Sequence, residues 1–397
     1  MKPLNVLWLI DHVCYDGSLH GGGRLFMNLM PRFDPDRIRV HPYFLRSSPE
    51  VWKLFSESHH PVVNLDKGKY DPTALATVAR LCRTHEIDVM HLFCYASSTL
   101  GRIVGVGRGV PTVIHDFDTQ VYFPYPLYLR ALDRLLAGST GHALAASSFC
   151  RDYMCDVRRV PRDRIEVLYH TIPERVLRAA EVVDRTTARR ELGWAESGFV
   201  FGCVTKLGPE RGNDTLLRAF RTVADRLPDA RLALVYKPTL YHRVPEDYAD
   251  IPWIRDLDAM RGQIQAQVAE LGLGDRVDLV ETDDSVLPYY AASDVLVAPF
   301  ESERFSSVHL IEGLAFGKPF VGSDLGEPAE IGRAHRVARL VPPGDASALA
   351  AAMTEVASDP DLYRELAERA RGASRAFMVE ATADRLSGMY EGLARRS

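Results

Sequence analysis

The sequence predicts an α/β fold of two doubly wound domains with parallel sheets. Three observations carry this. Apolar runs alternate with amphipathic helical stretches from end to end, the pattern of parallel strands joined by crossover helices. The chain has 397 residues, too many for one ordinary hydrophobic core. A charged segment at Ile172–Gly198, without a strand pattern, interrupts the alternation near the middle.

In order, the first half offers strands at Asn5–Ile10, Arg39–Phe44, Val62–Leu65, Val89–Phe93, Thr112–His115, Ala143–Ala146 and Ile165–Tyr169. Helices at Leu25–Met30, Thr73–His85 and Pro126–Leu136 fill gaps between them. The second half restarts at Phe199–Thr205 and continues at Ala230–Tyr236, Val277–Val280, Val295–Ala298, Phe320–Ser323 and Ala338–Val341. Its helices include Asn213–Arg226, Ile264–Leu271 and Val308–Phe316, and the tail Asp359–Ser397 reads as helical. Residues Lys237–Gly262, with three prolines among tyrosines and acids, read as an irregular excursion.

Composition narrows the function classes. Apolar content of 46% and charged content of 25% are those of a soluble globular protein. A net charge of −5 argues against a dedicated nucleic-acid binder. The six cysteines (Cys14, Cys82, Cys94, Cys150, Cys155, Cys203) form no CxxC pair and no zinc spacing. They read as reduced thiols of a cytosolic protein. Val6–Ile10 is too short for a signal peptide, and no stretch approaches the ~18 apolar residues of a spanning helix. Membrane contact, if there is any, is expected to be peripheral, at the inner face of the membrane.

Four motifs could carry chemistry. Gly17–Arg24 (GSLHGGGR) follows the first strand, where Gly21, Gly22 and Gly23 would let backbone approach a ligand near a helix N-terminus. The bland alternative is a flexible turn. Gly202–Gly212 (GCVTKLGPERG) places Thr205, Lys206 and Arg211 after the first strand of the second half, where two cations could clamp a diphosphate. Thr112–Asp118 (TVIHDFD) ends a strand in His115 and also forms a DxD from Asp116 and Asp118, a short pattern common by chance. Pro299–Val321 (PFESERFSSVHLIEGLAFGKPFV) runs from a strand through a carboxylate-bearing loop into a helix. Its free N–H groups around Ser306, Ser307 and Val308 suit a phosphate, and Glu301, Glu303 and Glu312 suit sugar or ribose hydroxyls. One site that reads both groups suggests a nucleotide-sugar. The alternative for Glu312 is an incidental acid on a buried helix.

Taken together, these residues resemble the GT-B glycosyltransferases of glycosyltransferase family 4, over nearly the whole chain. The order of Gly21–Gly23, Val113–Asp116, Ala145–Cys150, Arg164–His170, Leu287–Pro299 and the Glu312 helix carries the resemblance. It implies two Rossmann-like domains facing a cleft: residues 1–178 for the acceptor, residues 190–375 for the nucleotide-sugar donor. Residues 376–397, with the helix Ala381–Leu393, would return to the first domain. It implies retaining transfer of a sugar from a nucleotide diphosphate to a hydroxyl acceptor, with no cofactor and no obligatory metal. Lys206 and Arg211 would hold the diphosphate, Glu303 the sugar hydroxyls, Glu312 the ribose, and His115 would orient the sugar. Gly22 and Gly23 would let the first domain close on the phosphates.

The chain departs from that family in four places. The Arg and Lys of the family are here Lys206 and Arg211. Eight residues, not seven, separate Glu303 from Glu312, which makes Glu301 a rival for the first role. Ser306 stands where a glycine is usual after Phe305, and Tyr236–Pro238 replaces a Gly-rich turn. An acceptor could stack on Tyr122, Phe123 and Tyr125. Arg151, Arg158, Arg159, Arg162 and Arg164, interspersed with acids, read as a solvated face. The rival readings are an epimerase or hydrolase of the same fold, a metal-dependent transferase built on Asp116 and Asp118, and a non-catalytic nucleotide-sugar binder.

Overall fold

A computed structural model of the chain describes residues 2–11, 21–46, 62–68, 71–117, 126–236, 257–282, 286–303 and 307–396. It divides into two compact units, Met1–His170 with Val379–Ser397, and Thr171–Met378. No described helix is long and apolar enough to cross a membrane.

The first unit is built on seven strands: β1 (Leu4–Ile10), β2 (Ile38–Phe44), β3 (Val63–Asn64), β4 (Val89–Phe93), β5 (Thr112–Asp116), β6 (His142–Ala145) and β7 (Ile165–Val167). Their order is β3-β2-β1-β4-β5-β6-β7, every pairing parallel. A parallel sheet must be covered on both faces, and alternate residues of β1 show it. Val6, Trp8 and Ile10 join one apolar cluster with Phe26, Phe44 and Leu386. Leu7 and Leu9 join another with Val78, Leu92, Ile114 and Met154. The helix Val379–Ala394 covers the first of these faces. Its buried Tyr390 hydroxyl accepts from Trp8 Nε1 at 3.2 Å and bonds His91 Nδ1 at 2.5 Å.

The second unit carries β8 (Val200–Thr205), β9 (Arg231–Tyr236), β10 (Val277–Glu281), β11 (Val295–Ala298), β12 (Phe320–Ser323) and β13 (Ala338–Val341). The order is β10-β9-β8-β11-β12-β13, again all parallel. Each sheet therefore reverses its winding at one place, between β1 and β4 and between β8 and β11. Helices on both faces leave the carboxyl ends of those central strands as the natural crevice of each sheet.

Every strand expected from the sequence is present, its limits shifted by at most two residues. Helix limits moved more. The first helix is Gly21–Leu29, so the three glycines form its opening turn rather than a loop before it. Burial of Leu25, Phe26 and Leu29 supplies the energy that glycine's poor helix propensity withholds. The segment after Ile172 folds into the helices Glu174–Val182 and Arg185–Glu191, the latter capped by Asp184 through the Thr186 and Thr187 N–H groups. Leu257–Glu270 is one helix, so Leu257–Gly262, expected to belong to an irregular excursion, are helical, and residues 237–256 of that excursion lie outside the described residues. The tail is two helices, Pro360–Ser374 and Val379–Ala394.

One basic residue assigned to a solvated face is instead core. Arg158 is buried, bonded to Asp133 at 2.9 and 3.0 Å and to Asp116, with its guanidinium 4.8 Å from the Tyr95 ring. Arg102, also buried, pairs with Asp133 from the other side. Two cations and two carboxylates close a neutral cluster that ties β5 to two helices and to the turn after the helix Ser148–Asp156. Complete pairing offsets a desolvation cost that either charge alone could not bear.

The second unit has its own buried pair. Asp294 immediately precedes β11 and accepts from Arg185 at 2.7 Å, Arg189 at 2.6 Å and the Val200 N–H at 2.7 Å. Its own N–H donates to the Val200 carbonyl at 2.8 Å. One carboxylate thus fixes the register of β8 against β11. Substituting Asp294→Ala is expected to lower stability by about 3–5 kcal/mol, because Arg189 would remain buried without its partner; the shift in chemical-denaturation midpoint measures it.

Candidate functional site

In the second unit, the loops that leave β8 and β11 meet at the reversal point. Lys206 stands exposed just beyond β8, after Thr205. A short 3-10 turn, Pro209–Arg211, follows, and then Gly212 with φ +70°. A Cβ at Gly212 would lie 1.7 Å from the Pro299 carbonyl oxygen, so only glycine permits this approach. The Glu301 N–H donates to the Glu210 carbonyl at 2.9 Å, and the Arg211 guanidinium lies over the Phe300 ring at 5.4 Å. The two loops are locked together by backbone contact, which sets Arg211 against the start of the carboxylate loop; Lys206 lies earlier on the same loop from β8.

The three glutamates separate by environment. Glu301 accepts from Thr215 Oγ1 at 2.7 Å, which binds it to the helix Asn213–Arg226. Glu303, two residues on, is exposed, and its backbone packs on Gly326. Glu312 lies in the helix Val308–Ala315 beside Leu310, Ile311 and Leu314 and is only 2% exposed. Its Oε2 accepts from the Tyr290 hydroxyl at 3.0 Å, and Oε1 is 3.7 Å from Arg175. Ser307 precedes that helix; its N–H, expected to be free for a phosphate, is instead taken by Glu327 Oε2 at 2.7 Å, and Val308 is the first helical residue. Phe305 and Ser306 lie outside the described residues.

Buried polar atoms without a hydrogen-bond partner among the described residues mark places where something else can bind. In the second unit they include Asn213 Oδ1, Ser307 Oγ, His309 Nε2 and Glu327 Oε1. All four residues stand at or near the helix starts that follow β8, β11 and β12. Arg175, Tyr290, His309 and Glu327 escaped the reading of the sequence. Glu327 had one local signal, a carboxylate directly after a glycine at a strand-to-helix turn. Arg175 had none, because its neighbour Glu312 is 137 positions away.

In the first unit, His115 is the penultimate residue of β5 and wholly buried. Neither ring nitrogen has a hydrogen-bond partner among the described residues. The ring stacks on Phe117 at 4.3 Å and on His91 at 5.4 Å. Burial pushes its pKa down to about 3, so the imidazole is neutral at physiological pH with one donor and one acceptor to offer. Gly21, Gly22 and Gly23 open the helix after β1, on the other side of β4. Asp116 is engaged by Arg158, while Asp118 and the aromatic residues Tyr122, Phe123 and Tyr125 lie outside the described residues. No cluster of metal ligands occurs among the described residues.

Two family models match the chain. "Glycosyl transferases group 1" covers residues 184–373 and "Glycosyltransferase Family 4" covers residues 20–175. Among similar proteins, the D-inositol 3-phosphate glycosyltransferase of Streptomyces scabiei is 26% identical over 83% of this chain and 76% of its own length. The N-acetyl-alpha-D-glucosaminyl L-malate synthase of Bacillus anthracis is 22% identical over 76% and 74%. The lipopolysaccharide core biosynthesis mannosyltransferase LpsB of Rhizobium meliloti is 25% identical, over 53% of this chain and 57% of its own length. Among solved structures, a glycosyltransferase from Rickettsia africae superposes with a TM-score of 0.81 at 13% identity, covering 100% of both chains. Anabaena Alr3699/HepE in complex with UDP gives 0.78 at 19% identity, covering 99% of this chain and 100% of that one. These likenesses establish two parallel-sheet α/β domains of the GT-B kind.

The buried histidines have a measurable consequence. His115 and His170 are pushed down to about 3 and about 4 and His91 well below its ordinary value of 6.5, all chiefly by burial. Each folded pKa is depressed, so the stability these residues contribute is present above pH 6.5 and lost as pH falls toward 4. The melting temperature is expected to drop steadily over that window, and the His115→Phe variant to drop less.

Proposed function

We propose, for a chain that belongs to glycosyltransferase family 4, that it moves a sugar from a nucleotide diphosphate donor to a hydroxyl acceptor with retention of anomeric configuration. The observation that carries this reading is the locked pair of loops at the reversal point of the second unit. Arg211 lies at that junction, Lys206 is exposed on the loop from β8, and a helix begins after each loop; together these are the groups a diphosphate requires. UDP complexes of the structurally similar Anabaena protein support uridine nucleotides as the first donors to test.

In this reading Lys206, Arg211 and the N–H groups at the start of the Val308–Ala315 helix bear the charge that develops on the departing diphosphate. That charge complement leaves no step needing a metal. The bond from the anomeric carbon to the diphosphate oxygen breaks while the acceptor oxygen bonds to the same face. The acceptor proton passes to the departing diphosphate. Glu312, oriented by Tyr290, binds the ribose hydroxyls. Glu303 rather than Glu301 binds the sugar, because Glu301 is already committed to Thr215. His115 presents its neutral ring to a sugar hydroxyl.

The acceptor belongs with the first unit in this reading, and lipid-linked glycans, cell-wall precursors and small natural products all remain candidates. Leu127, Tyr128 and Leu135, on the helix Leu127–Leu135, are 79%, 65% and 82% exposed. Beside Arg130 and Arg134 they support peripheral contact of a cytoplasmic enzyme with a membrane surface.

Thermal stabilisation by UDP, GDP and ADP, with and without chelator, tests the donor site. One nucleotide is expected to stabilise the protein regardless of chelator. Lys206→Ala or Arg211→Ala should weaken its binding by about tenfold to a hundredfold, the loss of one charged hydrogen bond. Stabilisation by none of the three would overturn the reading. In turnover assays with the matching nucleotide-sugar, Glu303→Gln is expected to lower kcat by about a hundredfold or more. Glu301→Gln should act mainly through stability, and the opposite ranking would reassign the sugar-binding carboxylate.

A further inference from the structure

Glu327 is the second residue of the helix Gly326–His335, which follows β12, and it is 1% exposed. Its Oε2 takes the Ser307 N–H at 2.7 Å. Its Oε1 and the Ser307 hydroxyl both lack a hydrogen-bond partner among the described residues. Gly326, just before it, has φ +57°, and a Cβ there would meet the Glu303 carbonyl oxygen at 2.9 Å and its Cα at 3.1 Å. Two consecutive residues of one helix start therefore fix both Glu303 and Ser307. Both residues belong to the stretch Glu303–Glu312, whose spacing is one residue longer than the family pattern.

We propose that Glu327 is a positioning residue of the diphosphate site, anchoring the Ser307 N–H while Gly326 seats Glu303. The proposal rests on the donor-site reading above. A charged carboxylate at the N-terminus of the Val308–Ala315 helix would compete with the donor for its positive end, whereas a neutral acid leaves that end open to a diphosphate. Burial favours the neutral acid, pushing Glu327 up to about 8 against the opposing Ser307 N–H. Glu330, on the same helix, adds to the rise. On the Val308–Ala315 helix, His309 is pushed down to about 3, first by burial and then by the Arg211 guanidinium, and so is neutral. From the loop after β11 the neighbour is Glu303, which meets this helix start through its backbone.

The test titrates UDP, GDP and ADP into the full chain at pH 7, 8 and 9.5, using wild type, Glu327→Gln and Glu327→Ala. Glutamine keeps an oxygen for the Ser307 N–H but cannot ionise. Wild type is expected to lose at least about fivefold in nucleotide affinity between pH 7 and 9.5, as a unit charge appears beside the phosphates. Glu327→Gln should lose clearly less. Glu327→Ala should bind about tenfold more weakly than Glu327→Gln at pH 7, for want of the anchoring hydrogen bond. Melting without nucleotide gives a second readout. Glu327 has a raised folded pKa, so its contribution to stability is full below about 4.5 and is lost as pH rises through about 8. Glu327→Gln should lack that slope. Parallel pH dependences for wild type and Glu327→Gln, or equal affinities for the two variants, would overturn the proposal and leave the donor site standing. Failure of wild type to bind any of the three nucleotides overturns the donor-site reading, and this proposal with it.

Discussion

Asp294 is the interaction on which the second unit's site depends. Its carboxylate sits between Arg185, Arg189 and the Val200 N–H, at the amino-terminal end of β11. It joins β8 to β11 where the sheet reverses its winding. With the strands held in register at that end, the loops at their other ends have a fixed separation. Gly212 against Pro299 and the Glu301–Glu210 backbone bond then close the gap between them. Lys206, Arg211 and Ser307 inherit their positions from that frame. The diphosphate site proposed for this crevice would gain from such a base, because preorganised donors need no rearrangement when charge develops.

The first unit solves a related problem with other groups. Four buried charges, on Arg102, Asp116, Asp133 and Arg158, neutralise one another at the end of β5. Beside them the rings of Trp8, His91, Phe93, His115 and Phe117 pack edge to edge and face to face. The charges are fully paired and the histidines are uncharged, so the low-dielectric interior carries little unbalanced charge. His115 keeps both nitrogens without a hydrogen-bond partner among the described residues, an unusual state for a buried imidazole. Asp116 belongs to this structural cluster through its pairing with Arg158.

The sequence by itself determined the strands, the winding and the family. Runs such as Val295–Ala298 and Phe320–Ser323 are apolar because both faces of a parallel sheet are covered, and that constraint is local enough to read from four residues. It also singled out Lys206, Arg211 and Glu312, since charge at the end of an apolar strand or on an apolar helix is visible without a partner. Tertiary structure alone decided which charges are spent on the fold. Arg158 looked like one of five surface arginines until two distant carboxylates were found around it. Glu301 stood in the sequence as a rival to Glu303, and only the fold shows that Thr215 bonds Glu301. Glu327 and Arg175 acquired meaning only through Ser307 and Glu312, 20 and 137 positions away. Burial and pairing are properties of contacts between remote segments, and no spacing rule along one chain encodes them.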